Sequence, residues 1–254
     1  MAFYDLSKTE RGVLVAKIKN DILFDLKQKK TNMIISYFSH EDTYIRKTAY
    51  LNTGRIYFEN MTFQKKIISI LKKLQNKKDF KIRQTVINVA GEIGIKEFET
   101  VEHFFDNGLF DEHHSPRNAV IGSIKKMSEK NPTPVLKWAK KYLYHTDKEI
   151  RREICHGIEL RGRTHPQDIL PLLKELQFDT TARVKNTLVH VIGQIAYKKG
   201  CLETVIADLN TWKNKEVVSK ALAEIIDVHY RYRNFSALTQ KQATIYIKTH
   251  FKNI

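Results

Sequence analysis

The groups best equipped for chemistry in this chain are carboxylates set beside basic residues. His156 and Glu159 lie three residues apart, and Arg152 precedes His156 by four. On a helix that spacing puts all three on one face. A carboxylate and an imidazole so placed can pass a proton to or from a bound molecule, and the same three residues equally form a solvated, hydrogen-bonded stripe. A second group is the loop Asp111–Glu112–His113–His114 in "DEHHSPRN". Its two adjacent histidines offer metal-binding atoms, but the spacing is not that of a known ligand set, and no metal is expected. The chain has no Gly-rich phosphate loop, no zinc spacing and no nucleophile elbow, so no cofactor is expected. Cys155 and Cys201 are too few for a disulfide framework or a ligand cluster.

The elements that must carry these groups repeat. The segments "EDTYIRKTAYLNTGRI", "KDFKIRQTVINVAGEI", "EHHSPRNAVIGSIKKM", "DKEIRREICHGIEL" and "TARVKNTLVHVIGQIA" share a polar loop, a basic residue and an apolar helical pattern. The aligned basic residues are Arg46, Arg83, Arg117, Arg151 and Lys185, with Lys220 in a weaker sixth copy. Their spacings are 37, 34, 34, 34 and 35. Before each copy runs another amphipathic stretch, such as "FQKKIISILKKLQN" or "TPVLKWAKKYLYH". Two helices per unit at this period predict an all-α solenoid of about six HEAT-like repeats with terminal capping helices. The expected layout is a single domain over 1–254, with an N-terminal cap and first helices in 1–40, repeats in 41–232 and a C-terminal cap in 233–254. Five prolines and ten glycines suit such a helical chain.

The recurring cation at the start of each second helix has two readings. In the first it is a structural ladder, each arginine bonding the preceding acid (Asp42, Asp79 and Asp147 stand four residues before Arg46, Arg83 and Arg151) or a neighbouring carbonyl. In the second it is a track of positive charge. Lys47 and Arg152 follow the ladder residue and have no acid four before them; Arg117, Arg183 and Lys185 also exceed what a ladder requires. The charge balance favours a polyanion partner: 44 Lys and Arg against 28 Asp and Glu leave a formal charge of +16, which attracts nucleic acid by long-range steering and counterion release. Trp138 and Trp212 fit the core better than a base-stacking platform. The run "HYRYR" at 229–233 mixes rings and cations and fits an exposed nucleic-acid contact or the plain end of the sixth repeat.

From about Asp111 to Trp212 the chain resembles the bacterial alkylpurine DNA glycosylases built from HEAT-like repeats, the AlkC/AlkD type. The residues that carry the likeness are Trp138–Ala139, Arg151–Arg152, Gly157, Leu170–Pro171–Leu172–Leu173, Val184–Lys185 and Ile195–Ala196. The resemblance implies a C-shaped right-handed solenoid whose basic concave face holds duplex DNA. It also implies excision of N3- or N7-alkylated purines, with an acid near the exposed sugar stabilising an oxocarbenium-like transition state. His156 and Gln194 stand where the AlkC branch carries acids, and a count along the AlkD branch puts His114 at or near its catalytic aspartate. The same count puts Arg152 on that branch's phosphate-contacting arginine.

Two functions from different classes follow. One is a DNA-binding relative of these glycosylases, a monomer gripping duplex, damaged or branched DNA through Lys47, Arg117, Arg151, Arg152, His156, Arg183 and Lys185. Asp111, Glu112 and Glu159 are then the acids available for base excision, or the protein binds without cutting. The other is a non-catalytic HEAT scaffold for an acidic protein or a structured nucleic acid. No secretory h-region opens the chain and no apolar run reaches a membrane span, so a cytoplasmic protein with no membrane partner is expected.

Overall fold

Hydrogen-bonding side chains at loop ends start many of the helices. The structure, a computed structural model, describes residues 3–252. Among them α1 (Lys8–Gln28) precedes six helix pairs and α15 (Gln240–His250) follows them. The pairs are α2 (Asn32–Phe38) with α3 (Thr43–Glu59), α4 (Met61–Leu74) with α5 (Phe80–Gly94), and α6 (Phe98–Leu109) with α7 (His114–Lys130). They continue with α8 (Pro132–Tyr142) and α9 (Lys148–Gly157), which runs into the short α10 (Glu159–Gly162). Then come α11 (Pro166–Lys174) with α12 (Ala182–Ala196) and α13 (Leu202–Leu209) with α14 (Lys215–Arg231). No described residue is in a strand. The chain is thus all-α, a solenoid of six HEAT-like helix pairs, as the period requires. It forms two compact units that divide between Ser123 and Ile124.

The acids placed four residues before the ladder arginines cap the helices rather than bond the arginines. Asp42, Asp79 and Asp147 accept the backbone N–H of Tyr44, Lys81 and Glu149, satisfying a donor that the first helical turn leaves unpaired. Pro132 and Pro166 open α8 and α11, where a missing N–H costs nothing. The second helices of successive pairs pack on one another: α3 on α5 in the first unit, α12 on both α9 and α14 in the second. Glycine sets how close they come. A Cβ on Gly54 would lie 2.7 Å from Glu92 Cβ, and one on Gly193 would lie 2.6 Å from Glu224 Cγ. Trp138 and Trp212 are core residues, 1% and 2% exposed, and Trp212 Nε1 donates to Asp208 Oδ2 at 2.6 Å.

The arginines bond loop carbonyls in a repeating pattern. Nη1 of Arg46 donates to the carbonyls of His40 and Glu41 at 2.5 and 2.9 Å. Arg83 does the same with Lys77 and Lys78 at 2.9 and 2.7 Å. Arg117 reaches Asp111 and Glu112 at 2.5 and 3.2 Å, and Arg151 reaches His145 and Thr146 at 2.7 and 2.9 Å. In each case the acceptors stand six and five residues before the arginine, so one guanidinium clamps the loop that leads into its own helix. Two of the four reach further. Arg83 pairs through Nε and Nη2 with Asp111 at 2.7 and 2.9 Å, and Arg151 pairs likewise with Asp179 at 2.6 and 3.1 Å. Those aspartates begin the next repeat's loop, where they also accept the N–H of His113 and Thr181. The residue in the same register after Arg117 is His145, whose Nδ1 accepts the Asp147 N–H at 3.0 Å.

Removing Arg151 strands Asp179, whose side chain is 4% exposed. Arg151→Ala is expected to lower the unfolding free energy by about 3 kcal/mol, whereas Arg183→Ala, at a side chain 62% exposed, changes it by less than about 1 kcal/mol. Urea denaturation at neutral pH checks both; equal losses would contradict the ladder.

Candidate functional site

In the first unit the candidate acids and cations meet at the α6–α7 loop. Asp111 is gripped by Arg83, with both side chains about one-tenth exposed. Burial pushes the Asp111 carboxyl up, but the Arg83 hydrogen bonds and the His113 N–H outweigh it and hold the group below its ordinary value of 3.8. Glu112 differs: its side chain is 86% exposed, and it meets Arg83 only at 3.4 Å. His113 stacks between Phe80, at 3.8 Å between ring centroids, and His114, at 4.4 Å. Lys47 is exposed on the first turn of α3, and no ion pair involving it occurs among the described residues. Arg117 is committed to the loop carbonyls described above.

In the second unit Glu149 joins the cations of two repeats. Its Oε2 accepts from Arg152 Nε at 2.9 Å and its Oε1 pairs with Arg183 Nε at 2.9 Å. Arg152 also lies 3.6 Å from Glu153, and its side chain is 19% exposed. Arg152 has no acid four residues before it, but Glu149 stands three before, a spacing that helix geometry serves equally well. Lys185, in register with Arg151, is half-buried and makes none of the carbonyl bonds of the ladder arginines.

Glu159 is the centre of a separate cluster. It is 1% exposed. One carboxylate oxygen lies 3.1 Å from His156 Nε2 and 3.3 Å from Lys125 Nζ; the other bonds Arg163. Burial pushes this carboxyl up, yet His156, Lys125 and Arg163 together bring it down to about 2. Arg163 Nη2 also donates to Gln194 Oε1 at 3.0 Å. The two positions where the family resemblance calls for acids, His156 and Gln194, therefore both flank a carboxylate that comes from Glu159. His190 completes the group: a ring nitrogen of each histidine and a Glu159 oxygen all lie within 4.8 Å of one another.

Register explains the cluster. Gly54, Gly91 and Gly193 each stand eight residues after their repeat's basic residue. In the third and fourth repeats that position holds Lys125 and Glu159, which form an ion pair at 3.3 Å. His156 and His190 likewise share one position, five residues after Arg151 and Lys185. Sequence reasoning passed over Lys125, Arg163, His190 and Glu149, although aligning the repeats column by column brings out the first and third. Elsewhere, the rings of the 229–233 run are accompanied by their cations: Arg233 lies over Tyr230 and Arg231 over Tyr232, and Tyr232 stacks on Tyr197 at 5.3 Å.

The helix pairs and their clamped loops define a HEAT-like repeat protein. Among solved structures, the chain is similar to AlkD2 from Streptococcus mutans, with a TM-score of 0.56 and 14% identity over 79% of this chain and 97% of that one. It is also similar to smu.31 from Streptococcus mutans UA159, with a TM-score of 0.47 and 17% identity over 82% and 95% of the two chains. A designed armadillo repeat protein aligns with a TM-score of 0.35 and 16% identity over 76% and 98%. No protein-family model matches the chain, and no curated protein matches it. The likeness to AlkD2 shows a shared fold, the one that the resemblance in sequence implies. No helix among the described residues is long and apolar enough to cross a membrane.

The Asp111–Arg83 pair makes stability depend on acid. Because the folded carboxyl is depressed, its contribution is complete above 3.8 and is lost as pH falls through the lower folded value. Arg83→Met should therefore flatten the loss of urea stability between about pH 5 and pH 2. Parallel curves for the variant and the parent would show that the pair carries no such dependence.

Proposed function

We propose that this protein is a DNA-binding member of the HEAT-repeat fold it shares with AlkD2. The observation that carries the reading is a surplus of cations outside the arginine ladder. Lys47 is exposed and makes no ion pair among the described residues, Arg183 is 62% exposed with one surface pair to Glu149, and Lys185 makes none of the ladder's carbonyl bonds. Arg117, Arg151, Arg152 and His156 serve first as internal partners and add to the field at the phosphates rather than supplying vacant donors. Contacts of this kind fix position without reading sequence, so binding is expected to be weakly sequence-dependent.

The chemistry of the acids separates binding from excision. A glycosylase needs a carboxylate facing the developing positive charge on the sugar. Asp111 already faces Arg83, and Glu159 already faces three basic groups, so neither offers uncompensated negative charge. Glu112, 86% exposed and meeting only Arg83 at 3.4 Å, is the least compensated of the three and is the acid that favours excision as the second reading. An acidic protein partner would use the same cations, and duplex DNA is preferred on the sequence resemblance to the HEAT-like alkylpurine DNA glycosylases, with which the fold agrees.

Base release from N-methylated duplex DNA, with binding followed on the same duplex, tests the proposal. Binding without release is the expected result. Release that disappears in Glu112→Gln would establish the second reading. Replacing Lys47, Arg183 and Lys185 together by alanine should weaken duplex binding at least tenfold at moderate salt, since each removes a phosphate contact; an unchanged affinity would place the interface elsewhere.

A further inference from the structure

We propose that His156, Glu159 and His190 bind a divalent transition metal ion of the zinc class. The inference stands on the second unit alone and does not rest on the DNA reading. It departs from the expectation that the chain holds no metal, an expectation framed on His113–His114.

The first observation is convergence. Two imidazole nitrogens and one carboxylate oxygen lie within 4.8 Å of one another. Four ligands at about 2.0–2.1 Å around a tetrahedral zinc ion stand roughly 3.4 Å apart, so small side-chain rotations bring the three onto one ion. The convergence follows from the repeat. His156 and His190 occupy the same register position in adjacent repeats, which brings their rings to 6.0 Å between centroids at 78°. Glu159 lies one turn beyond His156 on the same side.

The second observation is the surroundings of the ligands. The carboxylate is buried, while the His156 and His190 side chains are 33% and 42% exposed, so an ion has a way in and a solvent-facing side on which a water completes its shell. Glu224 lies 3.7 Å from His190 Nδ1, held by Arg231 at 2.6 Å, so a second carboxylate stands near the ring and adds negative charge beside the ion. Arg163 holds the Glu159 oxygen that faces away from His156, orienting the carboxylate to bind through the other.

Lys125 is the competitor. Its ammonium stands 3.3 Å from the oxygen that the ion would take, with a side chain 23% exposed that has room to swing outward. The arrangement is therefore one carboxylate oxygen shared between a lysine and a metal ion. Two imidazoles in the set select zinc, nickel, cobalt or copper over magnesium or calcium, which prefer oxygen.

Titration of the full chain with ZnCl2 by calorimetry tests the site, with Co2+ absorption in the visible as the spectroscopic readout. One ion per chain is expected, with affinity at least about 100-fold weaker in both His156→Ala and His190→Ala. Lys125→Met should bind at least as tightly as the parent, because it removes the competing cation. MgCl2 should give no binding. Helical circular dichroism confirms that the variants are folded; His190 is exposed enough for its loss to leave the core intact. No 1:1 binding by the parent, or histidine variants that bind as the parent does, would overturn the site. The second outcome would assign the metal to surface histidines such as His113 and His114.

Discussion

The first four repeats are built on one hydrogen-bonded clamp, an arginine whose Nη1 binds two carbonyls of the loop before its helix. Arg46, Arg83, Arg117 and Arg151 make it in turn. Loop carbonyls have no helix ladder to pair with, and a guanidinium satisfies two at once in a fixed geometry. In doing so it ties each of these loops to the helix that follows it. Arg83 and Arg151 extend the clamp to the aspartate that begins the next repeat, so the same side chain that shapes one repeat positions the one after it.

The fourth repeat departs from the common pattern where its chemistry is concentrated. At three other junctions successive second helices meet through Gly54, Gly91 or Gly193, and Gly157 packs on Ile124 beside the cluster. Between the third and fourth repeats the same position carries Lys125 and Glu159. A buried carboxylate there demands compensation, and Arg163, Lys125 and His156 provide it. The helix also changes at this point: α9 ends at Gly157 and α10 starts at Glu159, so Glu159 opens a new helix where an acid is favoured by the backbone dipole. A cluster of this kind costs stability unless each group is satisfied. Arg163 Nε and Gln194 Nε2 are buried without a hydrogen-bond partner, which marks the cluster as a place where the fold is not optimised for packing alone.

The solenoid was legible in the sequence because its determinants are local and recur: capping aspartates, a basic residue four positions later, and an apolar face. The ladder itself was half legible. The four-residue spacing of Asp147 and Arg151 reads as an acid–base pair, yet geometry uses the acid as a cap and sends the arginine to carbonyls, which no side-chain pattern reveals. The partners of Arg152, Arg163 and His190 were hidden for different reasons. Arg152 meets Glu149 at a three-residue spacing on its own helix, whereas Arg163 with Gln194, Arg183 with Glu149 and His190 with Glu224 are contacts between repeats, 31 to 34 residues apart, which emerge only when the repeats are superposed. The acids show the same limit. Asp111, Glu112 and Glu159 look alike as residue types, while burial and neighbours make them a bidentate ion pair, a solvated carboxylate and a compensated buried anion.

The central claim is that cations left over from the ladder bind a polyanion, and that this polyanion is duplex DNA. Fluorescence anisotropy on one duplex across a range of salt measures it most directly. The account predicts that log affinity falls linearly with log salt, with a slope of about −3 or steeper if at least three phosphates are contacted, and similarly for unrelated duplex sequences. A flat salt dependence, or no binding to duplex DNA at low salt, would contradict it.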